Sequence, residues 1–179
     1  ATTEASATAL VHQGIFQSAI SYEGTATVSL DNQVNGSINI SATAKVPDTV
    51  SLATDANANA QIYIGINQYG AANQAVAPFE NASLQNSGVI EIAADAEAKA
   101  SNTANAFAAD QFGIFQWTSS TDAGSVSLTN AAGAKVDISA TAKATATEGA
   151  ADATAWLGQG GKAGDGVVIG QLANSGTGN

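Results

Sequence analysis

The sequence has no cysteine, no methionine, a single histidine (His12) and only five lysine and arginine residues in 179. Without cysteine there is no Cys/His dyad for nucleophilic catalysis and no thiolate for the usual zinc sites. Fifteen acidic side chains against those five cations leave a net charge of −10, which excludes nucleic-acid binding, because phosphate contacts need a basic face. The same charge suits a soluble surface that repels copies of itself. Large side chains are also scarce: five Phe, three Tyr and two Trp, so the 45% apolar content comes mainly from alanine. A core made of methyl groups is thin, and flat layers suit it better than a round interior. No apolar run approaches the length of a membrane span, and no charged-then-apolar signal segment opens the chain. It opens on Ala1 without an initiator methionine, as expected for a processed product or an excerpt.

What fills the chain instead is Ala, Gly, Ser, Thr and Asn in a repeating order, and self-similarity is the first property to seek. An alternating alanine run ends five residues before a glycine four times: Ala9 before Gly14, Ala60 before Gly65, Ala108 before Gly113, and Ala155 before Gly160. The first three glycines open G-I-x-Q, at Ile15/Gln17, Ile66/Gln68 and Ile114/Gln116. S-L-x-N follows at Leu30/Asn32, Leu84/Asn86 and Leu128/Asn130, with a degraded fourth copy expected at Leu172/Asn174. A third block of alternating Ile or Val and Ala comes at Ile38/Ile40/Ala42/Ala44, Ile90/Ile92/Ala94/Ala96 and Val136/Ile138/Ala140/Ala142. The alanines step by 51, 48 and 47 residues (9 to 60 to 108 to 155), and the length differences fall between blocks, as surface connections permit. One repetitive domain over 1–179 is expected, with repeats at about 5–52, 53–103 and 104–150 and a partial one at 151–179. By register Ala1 matches Ala100 and Asn179 matches Glu91, as in an array cut at an arbitrary phase or a subunit whose neighbour supplies a missing strand. No polar cap closes either end, so the chain is expected to associate with itself or with adjoining repeats.

Alternation at period two argues for strands: Ala56, Ala58, Ala60, Ile62, Ile64, Ile66 and Gln68 share one face. Alanine alone favours helix, but no segment carries a comparable 3.6-residue apolar stripe, and Gly, Asn, Thr and Ser interrupt throughout. Each repeat therefore offers one long strand, one short strand, a turn and a third strand. Inward alanines let two sheets approach closer than the usual ~10 Å. The expected fold is all-β: a flattened parallel β-solenoid of three strands per repeat, with each repeat making one wide coil or two.

Two sets of side chains stand out. Gln17, Gln68, Gln116, Asn32, Asn86 and Asn130 share the parity of the apolar residues beside them. Stacked between coils they can form hydrogen-bonded ladders, which satisfies buried amides that otherwise cost ~1–3 kcal/mol each; they can equally end strands as turn formers. On the outward parity lie Phe16, Tyr69, Phe115 and Trp117, with Leu10, Tyr63 and Phe107. Such a stripe is either a contact surface for lateral bundling or sugar stacking, or a face covered by another part of the same coil.

The L-x-N-x-G-x-I arrangement at Leu84, Asn86, Gly88 and Ile90 resembles the repeats of haemagglutinin-like and autotransporter-passenger β-helices. A more distant likeness is to functional amyloid fibre subunits. The resemblance implies a right-handed parallel β-solenoid on a bacterial surface. Thiol-free, low-lysine, Thr/Asn/Gly-rich usage is similar to that of very large exported bacterial proteins, so an extracellular or cell-surface location is expected.

Little in the sequence looks like chemistry. His12 sits on the outward parity, at the place of Tyr63 and Gln111, and reads as a surface residue. Asp95 and Glu97 share a strand face where calcium or a general acid/base pair can be built, but their equivalents are Thr43/Lys45 and Thr141/Lys143, so no acidic site recurs. The segment from Gly158 to Gly166, with Lys162, lacks the phosphate-loop pattern and reads as a loop replacing G-I-x-Q. No catalytic, cofactor or metal residues are expected. The function classes left are a structural module of an extracellular fibre, surface layer or biofilm matrix, or an adhesin stalk or glycan-binding module. Finally, the outward column Lys45, Glu97, Lys143 alternates in charge, and the three residues are neighbours only if one repeat makes one coil.

Overall fold

A computed structural model describes residues 4–22, 24–46, 53–72, 79–120, 123–158 and 168–175. Eleven strands are described in them: β1 (Glu4–Ser21), β2 (Ala26–Asn32), β3 (Ser37–Val46), β4 (Asp55–Ala72), β5 (Phe79–Asn86), β6 (Val89–Ala100), β7 (Thr103–Ser120), β8 (Ala123–Asn130), β9 (Lys135–Ala146), β10 (Ala150–Leu157) and β11 (Ile169–Ser175). They stack into three parallel sheets. The long sheet runs β1-β4-β7-β10, with β11 also on β7; the short sheet is β2-β5-β8; the intermediate sheet is β3-β6-β9. Each of the first three repeats therefore makes one coil of three strands, a parallel β-solenoid. The long sheet is one wall, and the short and intermediate sheets, joined at the corner after Asn32, Asn86 and Asn130, pack against it as the other.

Identical residues face each other up the stack because the register matches block to block. Ala56 lies between Ala5 and Ala104, Leu84 between Leu30 and Leu128, and Ile92 between Ile40 and Ile138. The column Lys45, Glu97, Lys143 is likewise formed of direct register partners, one strand spacing (~4.8 Å) apart, which decides for one coil per repeat. Glu97 places its ion pair within its own strand, at 3.5 Å from Lys99.

The core is a thin band. Alanines 56, 58, 60, 94, 96 and 98 are buried at the narrow end, and Ile62, Ile66, Leu84, Ile90 and Ile92 at the wide end. What keeps the walls close is the glycine of G-I-x-Q. A Cβ on Gly65 would lie 2.7 Å from Cδ1 of Ile92, and one on Gly113 2.5 Å from Cδ1 of Ile138, so the isoleucine of the facing strand occupies the space a side chain would need. The strict alternation read for β4 fails at this point. Ile64 is only half-buried, whereas Gly65 and Ile66 are buried in succession, because the inward place has passed to the glycine.

The fourth repeat also departs from the reading of its sequence. Leu172 and Asn174 are not a short-sheet strand: β11 pairs with β7, placing Leu172 beside Trp117 and Asn174 beside Ser119. β10 covers the first half of β7 as far as Leu157 on Asp110, and β11 resumes at Ile169 on Ile114. β10 and β11 thus share one long-sheet level, and the glycine-rich stretch between them, with Gly160 and Lys162, lies outside the described residues. Ala1 and Asn179, on which the expected matches to Ala100 and Glu91 rest, lie outside the described residues.

Candidate functional site: amide ladders and an aromatic face

Each Gln of the I-x-Q block ends up facing the short sheet because two residues earlier its Ile is fixed against the core. Gln68 and Gln116 are fully buried. Gln68 donates to Oε1 of Gln17 at 2.8 Å and to the carbonyl of Ser83 at 3.0 Å; Gln116 donates to Oε1 of Gln68 at 2.7 Å and to the carbonyl of Ser127 at 2.9 Å. Gln17 donates to the carbonyl of Ser29 at 3.1 Å. In Gln68 and Gln116 one N–H thus runs along the stack and the other crosses to the opposite wall. The ladder has a fourth rung that the sequence reading passed over: Gln171 donates to Oε1 of Gln116 at 2.6 Å. Its signal was Ile169-Gly170-Gln171, a displaced I-x-Q.

The asparagines form a second ladder at the corner. Asn32 donates to Oδ1 of Asn86 at 2.7 Å, and Asn86 to Oδ1 of Asn130 at 2.6 Å. Their other N–H groups reach the start of the intermediate-sheet strand one coil on, at the carbonyls of Val89 and Lys135 (3.0 and 2.9 Å), while Oδ1 of Asn86 also accepts from the Gly88 N–H of its own turn at 3.2 Å. The turn-forming role and the ladder role coexist in one residue, since a primary amide has two donors. The ladders run in opposite senses: glutamines donate toward the N-terminal coil, asparagines toward the C-terminal one.

Gln68→Met keeps the volume and removes the amide, leaving Oε1 of Gln17 and the Ser83 carbonyl without their donor. We expect a loss of roughly 2–4 kcal/mol in urea unfolding, against about 1–2 kcal/mol for Gln17→Met, which strands one N–H of Gln68 at the partly exposed first rung. Equal losses at the two positions would mean that the ladder adds nothing beyond packing.

The outer face of the long sheet bears the aromatics. Phe16 is 56% exposed and Trp117 36%, while Tyr69 and Phe115 are half-buried. Tyr69 and Trp117 are register partners with ring centroids 5.0 Å apart. Phe115 meets Phe112 at 5.3 Å, and Phe16 stands in Phe115's column with Asn67 between them. His12 is exposed and stacks on Tyr63 at 5.1 Å, 7° from parallel. Among the described residues no three His, Asp or Glu side chains come together to hold a metal ion, and Asp95 stands in a column between Thr43 and Thr141.

Two buried acids had no counterpart in the repeat logic. Glu80 faces inward at the start of β5, with its pKa raised by burial against the opposing pull of the Ala72 backbone and the Ser120 hydroxyl. Gly70 opposite leaves room for it. Asp110 takes the column of Val11 and Ile62, and neither carboxylate oxygen has a hydrogen-bond partner. Burial pushes it up to about 7.

Compared with protein-family models, curated proteins and solved structures, the chain matches none.

Proposed function

We propose that this chain is a structural module of an extracellular fibre, surface layer or biofilm matrix, which extends by stacking coil on coil with itself or with adjoining repeats. The observation that carries this reading is the polarity of the two ladders. The glutamine ladder has an unspent N–H at Gln17 and an unspent carbonyl at Gln171; the asparagine ladder has a carbonyl at Asn32 and an N–H at Asn130. Stacked head to tail, Gln17 of one unit donates to Gln171 of the unit below and both ladders keep a single sense along the stack, whereas head-to-head contact sets donor on donor and acceptor on acceptor. Stability in such a stack sums over neighbouring coils, which suits a stiff rod. The support for a location outside the cell is the combined usage, thiol-free, low in lysine, rich in Thr, Asn and Gly, and repetitive. An adhesin stalk is the second reading, favoured by the exposed rings of the long sheet.

Negative-stain microscopy and light scattering of the concentrated chain, with immunogold labelling of its native source, test the proposal. Uniform polar filaments, labelled outside the cell, are expected. A monodisperse monomer together with no labelled polymer in the source refutes it.

A further inference from the structure

The outer face of the long sheet holds a trough of about 300 Å³ between two outward columns. One wall is Asn57, Asn105 and Asp152, and the other is Asn59, Phe107 and Thr154; within each wall the residues are direct register partners on β4, β7 and β10. Strand geometry sets the Cα atoms of the two columns roughly 6.6 Å apart, two residues along a strand, and the three levels span ~9.6 Å, two strand spacings. That is room for one or two sugar rings lying along the stack.

The chemistry of the first wall points to what it takes. Asn105 donates to Oδ1 of Asn57 at 3.0 Å, and Asn57 to Oε1 of Glu4 at 3.3 Å, so an outer amide ladder climbs two levels with the same sense as the glutamines. At the third level its next member is Asp152, whose carboxylate has no hydrogen to donate. The ladder stops there: Oδ1 of Asn105 faces a second acceptor instead of a donor. A group carrying O–H donors, seated in the trough, satisfies both oxygens at once. Across from it Asn59 has its Oδ1 taken by Gln61 at 2.8 Å and keeps its N–H groups for the ligand, with the Thr154 hydroxyl beside it. Phe107 supplies an apolar platform, held by edge-to-face contact with Trp156 at 5.0 Å and 83°. Amides, a hydroxyl and one carboxylate around a ring are the means by which a polyhydroxylated ligand is bound, its hydroxyls hydrogen-bonded and its C–H face on the aromatic.

Charge narrows the class. No Lys or Arg lines the trough, Asp152 sits on its rim and the chain carries −10 overall, so anionic sugars are repelled. A cation finds one carboxylate and amide oxygens, short of the six to eight oxygens calcium takes. We propose that this trough is a binding site for a neutral oligosaccharide, with Asp152 and Asn105 accepting from its hydroxyls, Asn59 donating to them and Phe107 stacking on a ring. The proposal stands independently of the fibre reading.

The test is titration of the isotope-labelled chain, followed by amide chemical shifts, with β-1,4-linked glucose hexamer, β-1,4-linked N-acetylglucosamine hexamer and α-1,4-linked glucose hexamer, each to millimolar concentration. At least one should give saturable shifts centred on Asn57, Asn59, Asn105, Phe107 and Thr154. Asp152→Asn is the discriminating variant, since its amide can donate to Asn105 and complete the ladder: thermal stability should hold or rise while affinity falls at least tenfold. Phe107→Ala should weaken binding to a similar extent with the strand signal in circular dichroism retained. The proposal is overturned by any of four results: no shifts with any of the three hexamers, undiminished binding in Asp152→Asn, shifts centred instead on Tyr69 and Trp117, or the same shifts produced by calcium alone.

Discussion

Gly65→Ala should destabilise the solenoid by roughly 2–3 kcal/mol although it adds a single methyl group. The methyl has nowhere to go: it would lie 2.6 Å from the carbonyl oxygen of Gly113 on the next coil and 2.7 Å from Cδ1 of Ile92 on the facing strand. The first obstacle is backbone fixed by the parallel ladder, and moving it would shear β4 against β7. Relief of the second alone is therefore insufficient. In Gly65→Ala/Ile92→Val the clash with Cδ1 is gone but Cγ2 at 2.9 Å and the carbonyl remain, so the pair should recover only part of the loss. Gly70→Ala, in the same strand and equally enclosed, is the control. There the nearest atom is Cγ2 of Thr118 at 3.5 Å, an ordinary contact. Gly70→Ala should be neutral or stabilise by about 0.4–1 kcal/mol through the unfolded chain. Melting temperature reads the contrast, at roughly 2–4 °C per kcal/mol for a chain of this size. If the two alanine variants melt together, the close approach at Gly65 is not what sets the wall spacing.

That glycine shows where sequence reasoning reached and where it stopped. Its recurrence at Gly14, Gly65 and Gly113 was visible, and so was the Ile40, Ile92, Ile138 column, but nothing in a linear pattern says that the two columns fill one another. The strands, their parallel stacking and their register were legible because a parallel in-register coil writes the same residue at the same place in every repeat. Ile64 misled because a period-two rule cannot see a local change of face caused by a facing side chain. β11 was misassigned for a different reason. Leu172 and Asn174 carry only two residues of S-L-x-N, whereas I-x-Q at Ile169 and Gln171 carries the ladder amide, whose hydrogen bond to Gln116 fixes the level. The trough on the long sheet was illegible as a site, since Asn57, Asn105 and Asp152 look like three solvated positions until register puts them in one column.

Stability should rise as pH falls from 8 toward 5, and the residue chiefly responsible should be Asp110. It stands where Ile62 and Val11 stand one and two coils below, fully buried and with no donor for either oxygen, so the ionised form loses its hydration and gains nothing in return. Burial accordingly pushes its pKa up to about 7, from 3.8 in the unfolded chain. Because the folded value is the higher one, the folded state holds the proton more tightly. The contribution is fully present below the unfolded value and is lost as pH rises through about 7. The whole effect is on the order of 2–4 kcal/mol. Net negative charge also weakens the fold at high pH, and Glu80, raised likewise by burial, adds a slope of the same sign. The comparison must therefore be made against a variant. Asp110→Asn should flatten most of the slope of urea-unfolding free energy between pH 5 and 8. Asp110→Ile, which restores the apolar column, should in addition exceed the wild type by about 2 kcal/mol or more at pH 8. An Asn variant that keeps the wild-type slope would place the titration elsewhere, and an Ile variant less stable than the wild type at pH 8 would mean that the carboxylate is satisfied in solution.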